Sequence, residues 1–179
     1  QICIFSATMP DLALDITNKF MNNPLRILVK NEMVTLEGIK QYYLGIEQES
    51  WKIATLYDLY DKLRIRQTII FVNSKRKAEF LKEQLETQNF VVSIIHSNMN
   101  QLMRDRTMKT FRTGSSRILI ATDVIARGID IQQVHVVINF DIPKNIETYI
   151  HRIGRSGRYG RKGIAINLSL IHISEPTRL

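Results

Sequence analysis

The feature that most constrains this chain is a repeated change of period. A strand-like stretch at 39–46 precedes short runs of β-branched and aliphatic residues at 68–72, 91–95, 117–121 and 134–140, and a final strand follows at 163–168. Each of the four runs is bounded by polar or turn residues, the signature of a buried strand. Helical spacing fills the gaps. Ile53, Leu56, Tyr57, Tyr60 and Leu63 recur along residues 51–63, Ala78, Leu81 and Leu85 share one face of 75–88, and Met108 and Phe111 come together in 101–112. A further helical stretch covers 145–153. Strands alternating with helices of this length predict an α/β fold, a mainly parallel β-sheet flanked by helices and joined by right-handed crossovers. Ligands of such sheets bind beyond the carboxyl ends of the strands. The loops to watch therefore begin at Asn73, His96, Thr122 and Asp141.

The first stretch reads differently. Residues 2–5 suggest a strand, 12–20 a short helix and 26–29 another strand, followed by a polar, mixed segment over 31–38. Two strands alone bury too little surface to fold. The expected organisation is therefore the end of a preceding domain over 1–30, a linker over 31–38 and a complete domain over 39–168. The last residues, 169–179 (S-L-I-H-I-S-E-P-T-R-L), resemble translated cloning or adapter sequence and are set aside.

Composition narrows the classes. No run approaches the roughly 18–20 apolar residues that span a bilayer, and the opening Q-I-C-I-F has no basic leader. A single cysteine, Cys3, supports neither an internal disulfide framework nor a thiolate zinc site, so no metal site is expected and a reducing compartment is the natural reading. The net charge of +8 and isoelectric point near 9.7 suit a polyanionic partner. Charge alone does not separate nucleic acid from no specific partner.

Four segments carry chemistry. In H-R-I-G-R-S-G-R (151–158), Gly154 can end the helix, leaving Arg155 and Arg158 on a glycine-rich loop. Two guanidinium groups three residues apart suit a triphosphate; the plain alternative is a solvated basic loop, or one that holds RNA phosphates. In A-T-D-V-I-A-R-G-I-D (121–130), a sharp turn at Gly128 sets Thr122 and backbone N–H groups to receive a phosphate, and Asp130 suits a ribose hydroxyl; the alternative is a capped strand-to-helix turn. Arg104 follows the opening of a helix after His96-Ser97-Asn98, again a phosphate geometry or merely a cap. Ser6-Ala7-Thr8 closes the first strand and by itself marks a turn.

The order is more telling than any one segment. S-A-T, then F-V-N-S, H-S-N-M-N-Q-L-M-R, A-T-D-V-I-A-R-G-I-D and Y-I-H-R-I-G-R-S-G-R-Y-G-R-K-G resembles the C-terminal motif series of DEAD-box ATP-dependent RNA helicases. With L-E-G-I-K-Q-Y-Y, L-Y-D-L-Y-D-K-L and G-I-D-I-Q-Q-V, the likeness is to the eukaryotic initiation factor 4A subfamily and its exon-junction relative, over about residues 1–168. The resemblance implies a second RecA-like domain that closes with the first around ATP and RNA. It assigns Arg155 and Arg158 as arginine fingers, Asp130 and neighbouring Gly128 to the nucleotide, and His151 to coupling with the first domain. It assigns Asn73, Ser74, Arg104, Thr122 and Gly128 to RNA phosphates, and Ser6 and Thr8 to linking hydrolysis with strand separation. It further implies translation initiation in the cytoplasm (or a nuclear exon-junction or ribosome-biogenesis role), Mg²⁺ held by the first domain, and a HEAT-repeat scaffold partner. A non-catalytic RNA- or scaffold-binding module is the other reading. Two departures stand out. Ser97-Asn98 replace the frequent Gly-Asp after the histidine, and the 179 residues contain neither G-x-x-x-x-G-K-[ST] nor D-E-A-D.

Overall fold

The computed structural model describes residues 2–6, 9, 11–28, 38–63, 65–123, 134–157 and 162–171. The chain separates into two compact units, Gln1–Glu37 and Gly38–Leu179.

In the first unit, α1 spans Asp11–Phe20. Thr17 Oγ1 donates to the Leu14 carbonyl at 2.7 Å, and Arg26 bonds the Asn18 side chain. The strands expected at 2–5 and 26–29 do not form among the described residues. A strand exists only as a rung of a ladder, and among the described residues neither segment joins one; Phe5, Leu25 and Ile27 lie exposed. Residue 29 and the expected linker, apart from Gly38, fall outside the described residues.

The second unit runs β1 (Ile39–Ile46), α2 (Trp51–Lys62), β2 (Thr68–Phe71), α3 (Lys75–Thr87), β3 (Val92–Ile95), α4 (Gln101–Arg112), β4 (Ile118–Ala121), β5 (Val136–Asn139), α5 (Ile146–Ile153) and β6 (Gly163–Leu170). Its six strands form one sheet in the order β1-β6-β5-β2-β4-β3, every pair parallel. β6 continues past residue 168, with Ser169 opposite Gly45 and Leu170 opposite Ile46.

The period-two alternation of the strands sorts the core into two layers. Ile70, Val72, Ile118, Ile120, Val136 and Ile138 pack with Leu56 of α2 and Ala78, Leu81 and Leu85 of α3. Ile69, Phe71, Leu119 and Val137 pack on the other face with Met108 and Phe111 of α4. The helical faces expected from spacing pack on the core, fully at Leu56, Ala78, Leu81, Leu85, Met108 and Phe111 and partly at Ile53, Tyr57 and Tyr60; Leu63 departs from them and is 44% exposed. It follows the last turn of α2 in an extended conformation (φ −109°, ψ 128°), so its side chain leaves the helical stripe.

Short polar side chains open three helices. Ser74 Oγ accepts from Lys77 N, Asn100 Oδ1 from Met103 N and Asn145 Oδ1 from Thr148 N, each satisfying an otherwise orphaned donor. These caps place each helix start directly above the strand ends.

Candidate functional site at the carboxyl ends of the strands

Arg152 organises this end of the sheet. It lies on the last turn of α5 with its side chain fully buried, its guanidinium 5.2 Å from the centroid of the Phe71 ring. Nε donates to Asp123 Oδ1 at 2.6 Å, Nη2 to Asn73 Oδ1 at 2.7 Å and Nη1 to the Asp141 carbonyl at 2.7 Å. A longer contact of 3.5 Å joins Nη1 to Asn139 Oδ1. Burying a guanidinium costs several kcal/mol unless it is paired and its donors are used. Here one side chain meets that cost by joining the loops that leave β2, β4 and β5.

The polar system continues in two directions. Toward β1, Asn139 Nδ2 donates to Asn167 Oδ1 at 2.8 Å, Asn167 Nδ2 to the Tyr149 hydroxyl at 3.1 Å, and that hydroxyl to Gln41 Oε1 at 2.7 Å. Burial pushes the Tyr149 phenol up, with the Asn167 hydrogen bond opposing. Toward α2 and α3, Asp141 Oδ1 accepts from Lys77 Nζ at 2.5 Å and Lys52 Nζ at 3.5 Å, while both lysines also reach Glu49. Two acids and two bases thus balance in a partly buried quartet. Burial raises the Glu49 carboxyl, but its bonds to Lys77 and Lys52 outweigh that and hold it below the usual range. The stabilisation from Glu49 is present above its unfolded pKa and is lost as pH falls through the folded one.

The sequence candidates fall into distinct environments. Asn73 is engaged inside the domain: its backbone N–H donates to Asp141 Oδ2, its Nδ2 to the Ile142 carbonyl, and its Oδ1 accepts from Arg152. Ser74 caps α3 as an acceptor, leaving its own proton to donate. Arg104 Nη2 donates to the Ser97 carbonyl at 2.7 Å, holding the 96–98 loop against α4. Thr122 N–H donates to the Ile95 carbonyl, tying the end of β4 to β3. Three buried polar atoms in this region have no hydrogen-bond partner: Thr122 Oγ1, Arg104 Nε and His96 Nδ1. Orphaned buried groups cost roughly 1–3 kcal/mol each and mark places where a ligand atom or water belongs.

Arg155 departs from its expected freedom. It is 7% exposed, and its Nε donates to the His151 carbonyl at 3.2 Å. The turn after α5 folds back on the helix instead of projecting away, with Arg155 N–H on the Arg152 carbonyl and Ser156 N–H on that of Ile153. Gly154 does close α5, but at φ −62°; the left-handed residue is Gly157, at φ 72°. His151 is half-buried on α5, and Ser6 is exposed in the first unit. Arg158, Gly128, Asp130 and Thr8 lie outside the described residues.

The arginine-bearing turn rests on β6. A Cβ built on Gly163 would stand 2.6 Å from Gly157 N and 2.8 Å from the Ser156 carbonyl carbon, both backbone atoms. Gly163→Ala is therefore expected to push the 155–157 turn off the sheet and cost about 1–3 kcal/mol, as overpacking does. Urea unfolding of this chain checks it: an unchanged midpoint would show that the turn can yield freely.

Sequence reasoning gave Arg152, Asp123 and Asn139 no role of their own and named Asp141 only as the start of a loop. A signal existed: Asn139 interrupts the apolar run V-V-I-N-F, and Arg152 shares a helical face with Tyr149 and Ile153.

Comparison with known proteins agrees with this architecture. Residues 51–160 match the helicase conserved C-terminal domain. The C-terminal domain of the DEAD-box protein Dbp5 superposes with a TM-score of 0.70 and 42% identity, covering 76% of this chain and 79% of that one. The chain belongs to the helicase C-terminal domain family, among the DEAD-box proteins. More particularly, it is 58% identical to eukaryotic initiation factor 4A-8 of Nicotiana tabacum over 167 residues, 93% of this chain and 40% of that protein. S. cerevisiae Dbp5 bound to RNA and ADP BeF3 matches with a TM-score of 0.85 and 40% identity, over 93% of this chain and 44% of that one. The chain thus spans about two-fifths of the length of the curated relatives it matches.

Proposed function

We propose that this chain is the second RecA-like half of an ATP-dependent DEAD-box RNA helicase of the initiation factor 4A kind, acting in translation initiation in the cytoplasm. One observation supports the reading most: Thr122 Oγ1 and Arg104 Nε are buried without partners beside strand-end loops that Arg152 holds rigid, where parallel sheets take their ligands. Residues of this type and placement suit the phosphates of an RNA backbone. Ser74, Arg104, Thr122 and Gly128 contact phosphate in this proposal, and Asn73 positions the loop they share. Such contacts carry little sequence information, so binding is sequence-tolerant.

In the same proposal Arg155 and Arg158 reach the γ-phosphate of an ATP held mainly by a preceding domain, which also binds Mg²⁺. Asp130 and Gly128 meet the ribose, and His151, Ser6 and Thr8 couple the two domains. The exposed apolar side chains of 2–5 and 25–28 support assigning residues 1–30 to that preceding domain. The nucleotide supplies the phosphoryl group; the residues of this chain orient it and offset its charge. A HEAT-repeat scaffold is the proposed protein partner.

The 179 residues contain no phosphate loop to cradle a β-phosphate. This chain by itself is therefore expected to show no RNA-stimulated ATP hydrolysis, measured as phosphate release at saturating RNA. Turnover by the purified chain would overturn the two-domain reading.

A further inference from the structure

His96 has no part in the assignments above, yet its position is unusual. It follows β3 directly, as Thr122 follows β4, and the two strands run parallel with Ile95 opposite Ala121. By alternation, both side chains point to the face covered by α3. α3 packs on β3 and β4 and begins at Ser74 above the same strand ends. His96 is 9% exposed, and its Nδ1, like Thr122 Oγ1, is buried without a partner. Two orphaned polar groups on neighbouring strands therefore lie under the N-terminal end of a 13-residue helix, where an anion is favoured.

We propose that His96 is a further ligand for a nucleic-acid phosphate on this face, its imidazole completing a cradle with Thr122 Oγ1, Ser74 and the α3 N-terminus, and that protonation of His96 tightens the grip. The inference rests on the RNA reading of the same face and adds a residue and a pH dependence to it.

The surrounding charges set the sign. Burial holds the His96 imidazole below the usual histidine range, Lys75 of α3 and Arg104 of α4 add to that, and Glu79 of α3 opposes them. Glu79 lies 3.5 Å from Lys75, and Asp123 at the end of β4 is taken up by Arg152. Without a ligand these influences together favour the neutral imidazole. A phosphodiester beside Nδ1 favours the cation, so binding raises the histidine pKa and affinity grows as pH falls. Each unit of that rise corresponds to a tenfold change in affinity.

The test uses this chain and a single-stranded oligouridylate without a terminal phosphate, whose backbone does not titrate between pH 5.5 and 8. Histidine resonances are followed by NMR against pH with and without the RNA, the His96 signal being assigned by its loss in His96→Gln. Affinity is measured in parallel by fluorescence anisotropy. The expected result is an upward shift of the His96 titration on binding, and affinity about three- to tenfold higher at pH 5.5 than at pH 8. In His96→Gln that pH dependence flattens, and the affinity gained on going from pH 8 to pH 5.5 is lost. RNA that binds while the His96 titration stays in place overturns this inference and leaves the RNA reading standing. Absence of binding at every pH, with both proteins folded, overturns the RNA reading itself.

Discussion

Changing Arg155 and Arg158 together to alanine in the full-length protein is expected to lower RNA-stimulated ATP turnover by about 10³-fold or more while leaving RNA affinity nearly intact. The magnitude follows from the charge these groups are proposed to offset: phosphoryl transfer spreads negative charge over equatorial oxygens, and an arginine finger is worth about 10³–10⁵ in rate. The surroundings of Arg155 suit that proposed role. It is nearly buried, and its Nε is tied to the His151 carbonyl, which limits the directions its fork can take. A lysine at 155 keeps the charge but loses that tie and the fork, so Arg155→Lys should recover only a small part of the rate. Single-turnover hydrolysis with saturating RNA separates the chemical step from RNA binding. Normal turnover in the double variant would end the nucleotide reading of this turn.

The second large effect is on stability. Arg152→Ala is expected to destabilise this chain by about 3–5 kcal/mol, since removing one partner of a buried polar system leaves the others unsatisfied. Asn73 Oδ1 and the Asp141 carbonyl would lose their 2.7 Å donors together. For a domain near this size a loss of that order lowers the melting temperature by about 10 °C or more. Asp123→Asn should cost much less, because that carboxylate is 50% exposed and water can replace its partner. Thermal unfolding of the two variants gives the comparison. Equal, small effects would show that Arg152 is a bystander and that the three loops hold their places without it.

Much of the fold is legible in the sequence. The run 68–72 is continuously apolar, and β2 is central in the sheet with every residue buried. Ala78, Leu81 and Leu85 recur at helical spacing, and all three are buried. Both signals are local, because a backbone period and a hydrophobic pattern are properties of ten consecutive residues. The failures at 2–5 and 26–28 have the same origin. Residues 2–5 and 26–28 are apolar enough for strands, but a ladder needs partners, which no local pattern supplies.

The site divides along the same line. The sequence determined the alternation of strands and helices, the caps at Ser74, Asn100 and Asn145, and the basic character of the segment around 151–158, because each rests on near neighbours along the chain. Only the tertiary structure decided that Arg152 is the buried centre of the strand-end loops, that Asn73 spends both amide atoms inside the domain, and that His96 Nδ1 and Thr122 Oγ1, at the ends of neighbouring strands, are buried without hydrogen-bond partners. Arg152 bonds residues 11, 29 and 79 positions away. Hydrogen bonds of that kind depend on where strands from distant parts of the chain come to lie, and short-range periodicity carries no record of it.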